Sequence, residues 1–262
     1  MAAPALPAIV PHWPGLPANV GAWSTTRAGG VSLAPYDDGQ GGGGLNLGVH
    51  VADDPSHVAQ NRARLAAMLP AQPAWLNQVH GVAVADAASL AGQVPDADAS
   101  VASDPGVVCL VMTADCLPVL FSSKDGQVVA AAHAGWRGLA NGVLQRTVQA
   151  MRQRGAGDIL AWLGPAIGPQ QFEVGQDVLQ TFLDGALDAA ERQAFQMAFN
   201  AIAGKPGKYL ADIYALGRLM LARGGVTQVA GGEYCTVSDA ARFYSYRRDG
   251  VTGRQASLIW RK

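Results

Sequence analysis

Charge is scarce in this sequence. Asp, Glu, Lys and Arg make up 15% of 262 residues, against about a quarter in average soluble chains. Neither sign dominates, with 19 basic and 20 acidic residues leaving a net charge of −1. That balance argues against a nucleic-acid footprint and against a face built for anionic membranes. Cysteine is scarce too. Cys109, Cys116 and Cys235 are too few, and odd in number, to frame a disulfide-stapled fold. A reducing, cytoplasmic compartment is therefore expected. No run approaches the roughly 18 uninterrupted apolar residues of a membrane span. The apolar start, MAAPALPAIVPHWPG, lacks a basic leader and is broken by prolines, so it is not expected to act as a signal peptide. There is no internal repeat and no charged linker, so one domain covering residues 1–262 is expected.

What is present is apolar and glycine-rich: 49% hydrophobic residues and 32 glycines. Val20–Thr26 reads as a strand, followed by a long glycine-rich loop. Asp54 and Pro55 suit the cap and first turn of a helix running to about Leu69. Further strands are expected at Ala74–Gln78, Val107–Met112, Leu117–Ser122, Gln127–Ala132, Ile159–Leu163, Val226–Ala230 and Ala256–Trp260. Asp-Gly in SSKDGQ marks a hairpin. Helices are expected at Leu139–Arg152, twice between Gly175 and Asn200, and at Leu210–Arg223 with Tyr209 and Asp212 at its start. Strands and helices do not alternate regularly. That predicts an α+β fold of mixed sheets packed together and flanked by helices.

Three residues carry the chemistry. His80 in NQVHG, Cys116 in TADCLP and His133 in AAHAGWRG all fall where a strand meets a loop. Sheet ends can gather such positions although they lie far apart in the chain. One thiolate and two imidazoles are ordinary zinc ligands, and three donors leave a fourth position open, as in a catalytic site. The same donors suit copper. Cys109, within an apolar run, reads as a small core residue.

Other side chains raise questions of binding. Val58, Leu65 and Leu69 form the apolar stripe of the first helix, and Asn61 and Arg62 fall on it. An inward guanidinium needs an anionic or hydrogen-bonding partner, which a structural ion pair and a substrate satisfy equally. Arg27 poses the same question. Alternation in RFYSYRRDG would put aromatic and basic groups on both faces of a strand, fit for a ligand or for a charge-protected sheet edge. Gly39, Gly41 and Gly44 match the dinucleotide fingerprint in letters only, because no strand precedes them and no helix follows.

Taken in order, TTRAGGVS, LNLGVHVADDP, NQVHG, TADCLPVL, AAHAGWRG, LGPAIGPQQFEVG and FYSYRRDGVTGRQAS resemble the bacterial laccase-domain family. Its members are variously called polyphenol oxidases, purine nucleoside phosphorylases and peptidoglycan editing factors. GQGGGG before LNLG looks like a local insertion. The resemblance implies a metal site at His80, Cys116 and His133 and phosphorolysis of adenosine, inosine and methylthioadenosine, with adenosine deamination beside it. On that reading Asp115 and Glu173 are candidate proton carriers. Arg62 is the candidate phosphate clamp, because a guanidinium grips phosphate bidentately. Asn46 and Gln78 are candidates to hold ribose or base. The expected partners are small molecules, nucleoside and phosphate, met by a monomer. Three rivals remain. Copper could replace zinc in a phenol oxidase, although the five histidines, His12, His50, His57, His80 and His133, contain no His-x-His pair. Cys116 could be a hydrolase nucleophile with His133 or His80 as base. The chain could also edit cell-wall precursors.

Overall fold

Strands that are apolar at every position must be covered on both faces. In the strand Leu117–Ser123, Leu117, Val119 and Phe121 enter one core and Leu120 enters another. Val129–Ala134 and Ile159–Leu163 divide in the same way. The computed structural model describes residues 6–262, so the first five residues of the proline-broken start lie outside it. Six strands form one mixed sheet in the order Gln228–Gly231, Ile159–Leu163, Leu117–Ser123, Val129–Ala134, Ala99–Ala102, Val84–Asp86. Its outermost pairs are parallel and the inner ones antiparallel. A second sheet of five strands runs Ala8–Ile9, Val20–Thr25, Gln255–Arg261, Val108–Thr113, Pro73–Ala74.

The two sheets stack. Cys109, Val111 and Ile259 of the second meet Leu120, Ala131, Leu160 and Trp162 of the first. Cys109 is a core residue here, and burial pushes its thiol up to about 12. Leu45, Leu47 and Leu65 cover the outer face of the second sheet, the last from helix Pro55–Ala66. Helices Val143–Gln153, Gln176–Asp184 and Ile213–Arg223 cover the outer face of the first. A small third sheet, Glu173–Gly175, Lys208–Ala211 and Phe199–Ala201, stands beside them. The fold is therefore α+β, with mixed sheets packed together and flanked by helices. No helix among the described residues is long and apolar enough to cross a membrane.

Several boundaries differ from the sequence reading, each for a local reason. The helix expected over Leu139–Arg152 is two helices, Trp136–Ala140 and Val143–Gln153, because Gly142 turns left-handed at φ 91°. The hairpin turn absorbs Gln127 through Ser123 and Asp125, so the next strand starts at Val129 and includes His133. Asp212 caps its helix by accepting from Tyr214 N and Ala215 N, while Tyr209 belongs to the strand Lys208–Ala211. The aromatic-basic run is not a strand. Phe243, Tyr244 and Ser245 are consecutive and all buried, which no alternating strand allows with one face exposed. Ser245 then caps the helical turn Tyr246–Asp249 by accepting from Arg248 N.

Helices Ala189–Met197 and Ile213–Arg223 are tied by an ion pair, Arg223 Nη2 to Glu191 Oε2 at 2.6 Å, with both side chains mostly buried. The Arg223 hydrogen bond holds the Glu191 carboxyl below its ordinary range. A depressed carboxylate stabilises the fold above its unfolded pKa of about 4.3, and that contribution is lost as pH falls through the lower folded value. Glu191→Gln should therefore cost about 1–2 kcal/mol at pH 7. The difference in urea midpoint from the wild type should shrink as pH falls through the folded pKa. An equal difference at all pH values would contradict this.

Candidate metal centre

The antiparallel register of the central strands pairs Leu117 with Ala134 and Pro118 with His133. Cys116, immediately before Leu117, therefore reaches the sheet end that carries His133. His80 arrives from the loop after Pro73–Ala74. Two residues here hold left-handed backbone without being glycine, His80 at φ 60° and Asp115 at φ 96°. Such conformations cost energy and persist only where the surroundings impose them.

At His80 the imposing group is Asp98, which the sequence reading misses. It is fully buried at the start of strand Ala99–Ala102. Its Oδ1 accepts from His80 N (2.9 Å) and meets His133 Nδ1 (2.8 Å), and its Oδ2 accepts from Val79 N (3.2 Å) and Gly81 N (2.6 Å). One carboxylate thus bends the His80 loop and orients the His133 ring. Burial opposes its charge, but the His133 hydrogen bond and the loop amides win, and its pKa falls below the ordinary value. A proton on Nδ1 leaves Nε2 free as a ligand.

The donors converge. Cys116 Sγ lies 3.8 Å from His80 Nε2, and all three ligand atoms lie within 4.8 Å of one another. Tetrahedral bonds of about 2.3 Å to sulfur and about 2.0 Å to nitrogen spread such donors by about 3.3–3.6 Å, so a small contraction seats a metal. The donor set suits zinc or copper alike. Burial resists a charge on Cys116, but His133 and hydrogen bonds from both histidines outweigh it and bring the thiol down to about 6. The thiolate is the form that binds metal. Gly135 is required by space: a Cβ there would stand 2.7 Å from His80 Cδ2 and 3.2 Å from Cys116 Sγ.

The other residues singled out from the sequence divide. Gln78 grips the Met112 backbone twice, donating to its carbonyl at 2.7 Å and accepting from its amide at 2.8 Å, and so fastens the His80 loop to the second sheet. Asn46 is fully buried; its Oδ1 accepts from Gly48 N (3.0 Å) and Arg254 N (2.9 Å), and its Nδ2 donates to Asp53 (2.9 Å). Asp115 borders the centre, with Oδ1 accepting from Thr236 Oγ1 and Oδ2 from Arg247 N, both at 2.6 Å. Glu173 does not join the cluster; its carboxylate pairs with Lys205 at 2.8 Å. Arg62 is half-buried, donates from Nε to Leu47 O at 2.9 Å and stacks 3.7 Å over the Trp75 ring. Burial lowers its pKa to about 10, and among the described residues no carboxylate pairs with it. Arg27 is buried on the Asp37 and Ala240 carbonyls, a tie for the glycine-rich loop. Asn61 is spent on backbone and Ser32.

Two cavities flank the donors. One, of about 300 Å³, is lined by His50, Gln78, Met112, Thr113, His133 and Arg254. The other, of about 260 Å³, is lined by Asp115, Trp136, Arg137, Ile167, Phe172 and Ile213. His80, Ala114, Cys116 and Tyr246 border both, so two of the three donors stand on the shared wall while His133 faces the first cavity alone. His50, Thr113, Trp136, Phe172 and Arg254 escaped the sequence reading because no spacing or periodicity links them.

A family described as multi-copper polyphenol oxidoreductase laccase matches residues 21–262. A purine nucleoside phosphorylase of Pseudomonas aeruginosa is 53% identical, over 96% of this chain and 97% of its own. Purine nucleoside phosphorylase YfiH of Escherichia coli is 52% identical, over 96% and 98%. The crystal structure of a Neisseria meningitidis protein superposes with a TM-score of 0.86 at 50% identity, covering 97% of this chain and 99% of that one. YlmD from Geobacillus stearothermophilus gives 0.84 at 32% identity, over 98% and 97%.

Proposed function

Because this chain belongs to the multi-copper polyphenol oxidoreductase laccase family, and its relatives are named purine nucleoside phosphorylases, we propose that it is a zinc-dependent purine nucleoside phosphorylase that also deaminates adenosine. The observation that carries the reading is a three-donor centre open to a cavity on each side. His80, Cys116 and His133 would hold the metal. When bound, it supplies Lewis-acid polarisation and acidified water at its open position. In phosphorolysis a phosphate oxygen bonds to C1′ of the ribose, and the C1′–N9 bond breaks with its electrons passing to the base, which takes a proton. In deamination water adds at C6 of adenine and the amino group leaves as ammonia.

The chain's own residues supply positioning. Gln78 fixes the His80 loop, and Asn46 fixes the backbone of Arg254. Asp115 is the carboxylate at hand for proton transfer, since it lines a cavity beside the donors and Glu173 lines neither. Arg62 lines neither cavity, but it lies behind Met112 of the first and, without a carboxylate partner, would supply positive charge to an anion bound there. We place the enzyme in the cytoplasm, acting as a monomer on small molecules. Arg62→Lys keeps the charge and loses the planar fork, so the apparent KM for phosphate should rise about tenfold. An unchanged phosphate dependence would assign Arg62 to structure alone.

Copper oxidation of phenols is the rival that the family description favours. Among the described residues His80, Cys116 and His133 are the one cluster spaced to hold a metal, which suits one ion better than a relay of several. Elemental analysis of the native protein beside product assays decides. Inosine should give hypoxanthine and ribose 1-phosphate only with phosphate present, and adenosine should give inosine without it. Phenol oxidation with stoichiometric copper and neither nucleoside product would overturn the proposal. Full phosphorolysis by metal-free protein would mean that the metal is not its catalyst.

A further inference from the structure

The two cavities differ in chemistry. In the first, no carboxylate lines the wall. Arg254 uses Nη1 on the Thr252 and Gly253 carbonyls (3.1 and 3.0 Å), while its Nε and Nη2 have no partner among the described residues. The side chain is half-buried, and its backbone is pinned by Asn46. Thr113 is 2% exposed, and its Oγ1 is buried without any hydrogen-bond partner. Buried hydroxyls are almost always satisfied, so this one points to a ligand. His50 offers an exposed imidazole on the same wall. Donors without acceptors, beside a guanidinium with a free edge, describe an oxyanion site.

The second cavity has the more aromatic wall, though it is about as polar overall as the first. Trp136, Ile167, Phe172 and Ile213 line it. Its one carboxylate, Asp115, already accepts a hydrogen bond on each oxygen. Of its cations, Arg137 lies 4.4 Å over the Trp136 ring, and Arg247 donates from Nη1 to the Glu173 and Gln171 carbonyls. Flat apolar walls suit a flat heterocycle.

Resting on the phosphorylase reading, we propose that phosphate binds in the Arg254–Thr113–His50 cavity and the nucleobase in the Trp136–Phe172–Ile213 cavity. The ribose then spans the shared wall at Cys116. An in-line displacement at C1′ needs the nucleophile and the leaving base on opposite sides of that carbon, and two cavities that share His80, Cys116 and Tyr246 as a common wall offer one place for each. The new phosphate oxygen–C1′ bond forms from the first cavity, and N9 departs with its electron pair into the second.

The test pairs one variant from each cavity with a third that reads the orphaned hydroxyl. Arg254→Gln should raise the KM for phosphate about tenfold or more, the scale of a lost charged hydrogen bond, with the KM for inosine within about twofold. Trp136→Leu should do the reverse. Thr113→Val, nearly isosteric, should melt no lower than wild type without phosphate and gain less than wild type when inorganic phosphate is added. Inorganic phosphate titrated calorimetrically into the protein should bind the wild type more tightly than Arg254→Gln. Equal shifts of both KM values in both variants, or an Arg254→Gln effect on inosine alone, would overturn the assignment. If the wild type makes no ribose 1-phosphate, the phosphorylase reading fails. The calorimetry still judges the anion site, and equal binding by wild type and Arg254→Gln would end it.

Discussion

Cys116→Ala should lose both its metal and its turnover while keeping its fold. Two imidazoles remain, and two ligands hold zinc far more weakly than three. Metal content should fall from about one equivalent to below about a tenth. Phosphorolysis and deamination should each drop by about a thousandfold, since polarisation worth several kcal/mol is removed and each 1.36 kcal/mol is tenfold. The fold should survive, because two stacked sheets with helices on both outer faces do not depend on a metal staple. Circular dichroism and the melting point of the metal-free proteins should therefore match. Full zinc occupancy in Cys116→Ala would sink the assignment of the centre.

Asp98→Asn should damage both the centre and the fold. Each Asp98 oxygen serves two donors. Asparagine keeps only one oxygen, and either amide orientation sets its NH₂ against two N–H groups. The His80 loop then loses the anion that holds its left-handed turn, and His133 loses the partner that fixes its tautomer. Metal affinity should fall by about 10- to 100-fold, the range for a ligand's outer partner. Stability should fall by about 3 kcal/mol, as for a buried charged group whose partners are left unsatisfied, which lowers the melting point by several degrees. Wild-type metal affinity in a protein that melts lower would reduce Asp98 to scaffold. Wild-type values for both would remove it from the account.

Those two predictions mark what the sequence could and could not convey. His80, Cys116 and His133 are legible because the side-chain types are distinctive; Cys116 and His133 do stand at strand ends, whereas His80 stands in a loop well past Pro73–Ala74. Asp98 is not legible, because its role is created by four N–H groups from distant segments. An aspartate in PDADASVASD carries no spacing that reports them. The central strands were found as apolar runs, yet their two-sided alternation was hidden, since both faces are buried in different cores. Phe243, Tyr244 and Ser245 misled for a related reason: strand-forming residues were recruited into a buried turn by the Ser245 cap and by the Tyr244 hydroxyl bound to the Arg27 carbonyl at 3.3 Å. Gln78 lies beside the centre, but its amide is spent on the Met112 backbone, and the Asn46 amide is spent on Gly48, Arg254 and Asp53.

The three donors do not stand on equal footing. Cys116 and His133 are set by neighbouring strands whose register cannot slip without turning every core residue outward. His80 is solvent-exposed and stands on a loop held by the Asp98 carboxylate and by Gln78, outside any strand register. An ion held here would therefore be released first at that imidazole, and a chelator would meet the centre on that side. Lability would be lodged in a single short loop, and exchange of the ion could proceed while the sheets stay fully assembled.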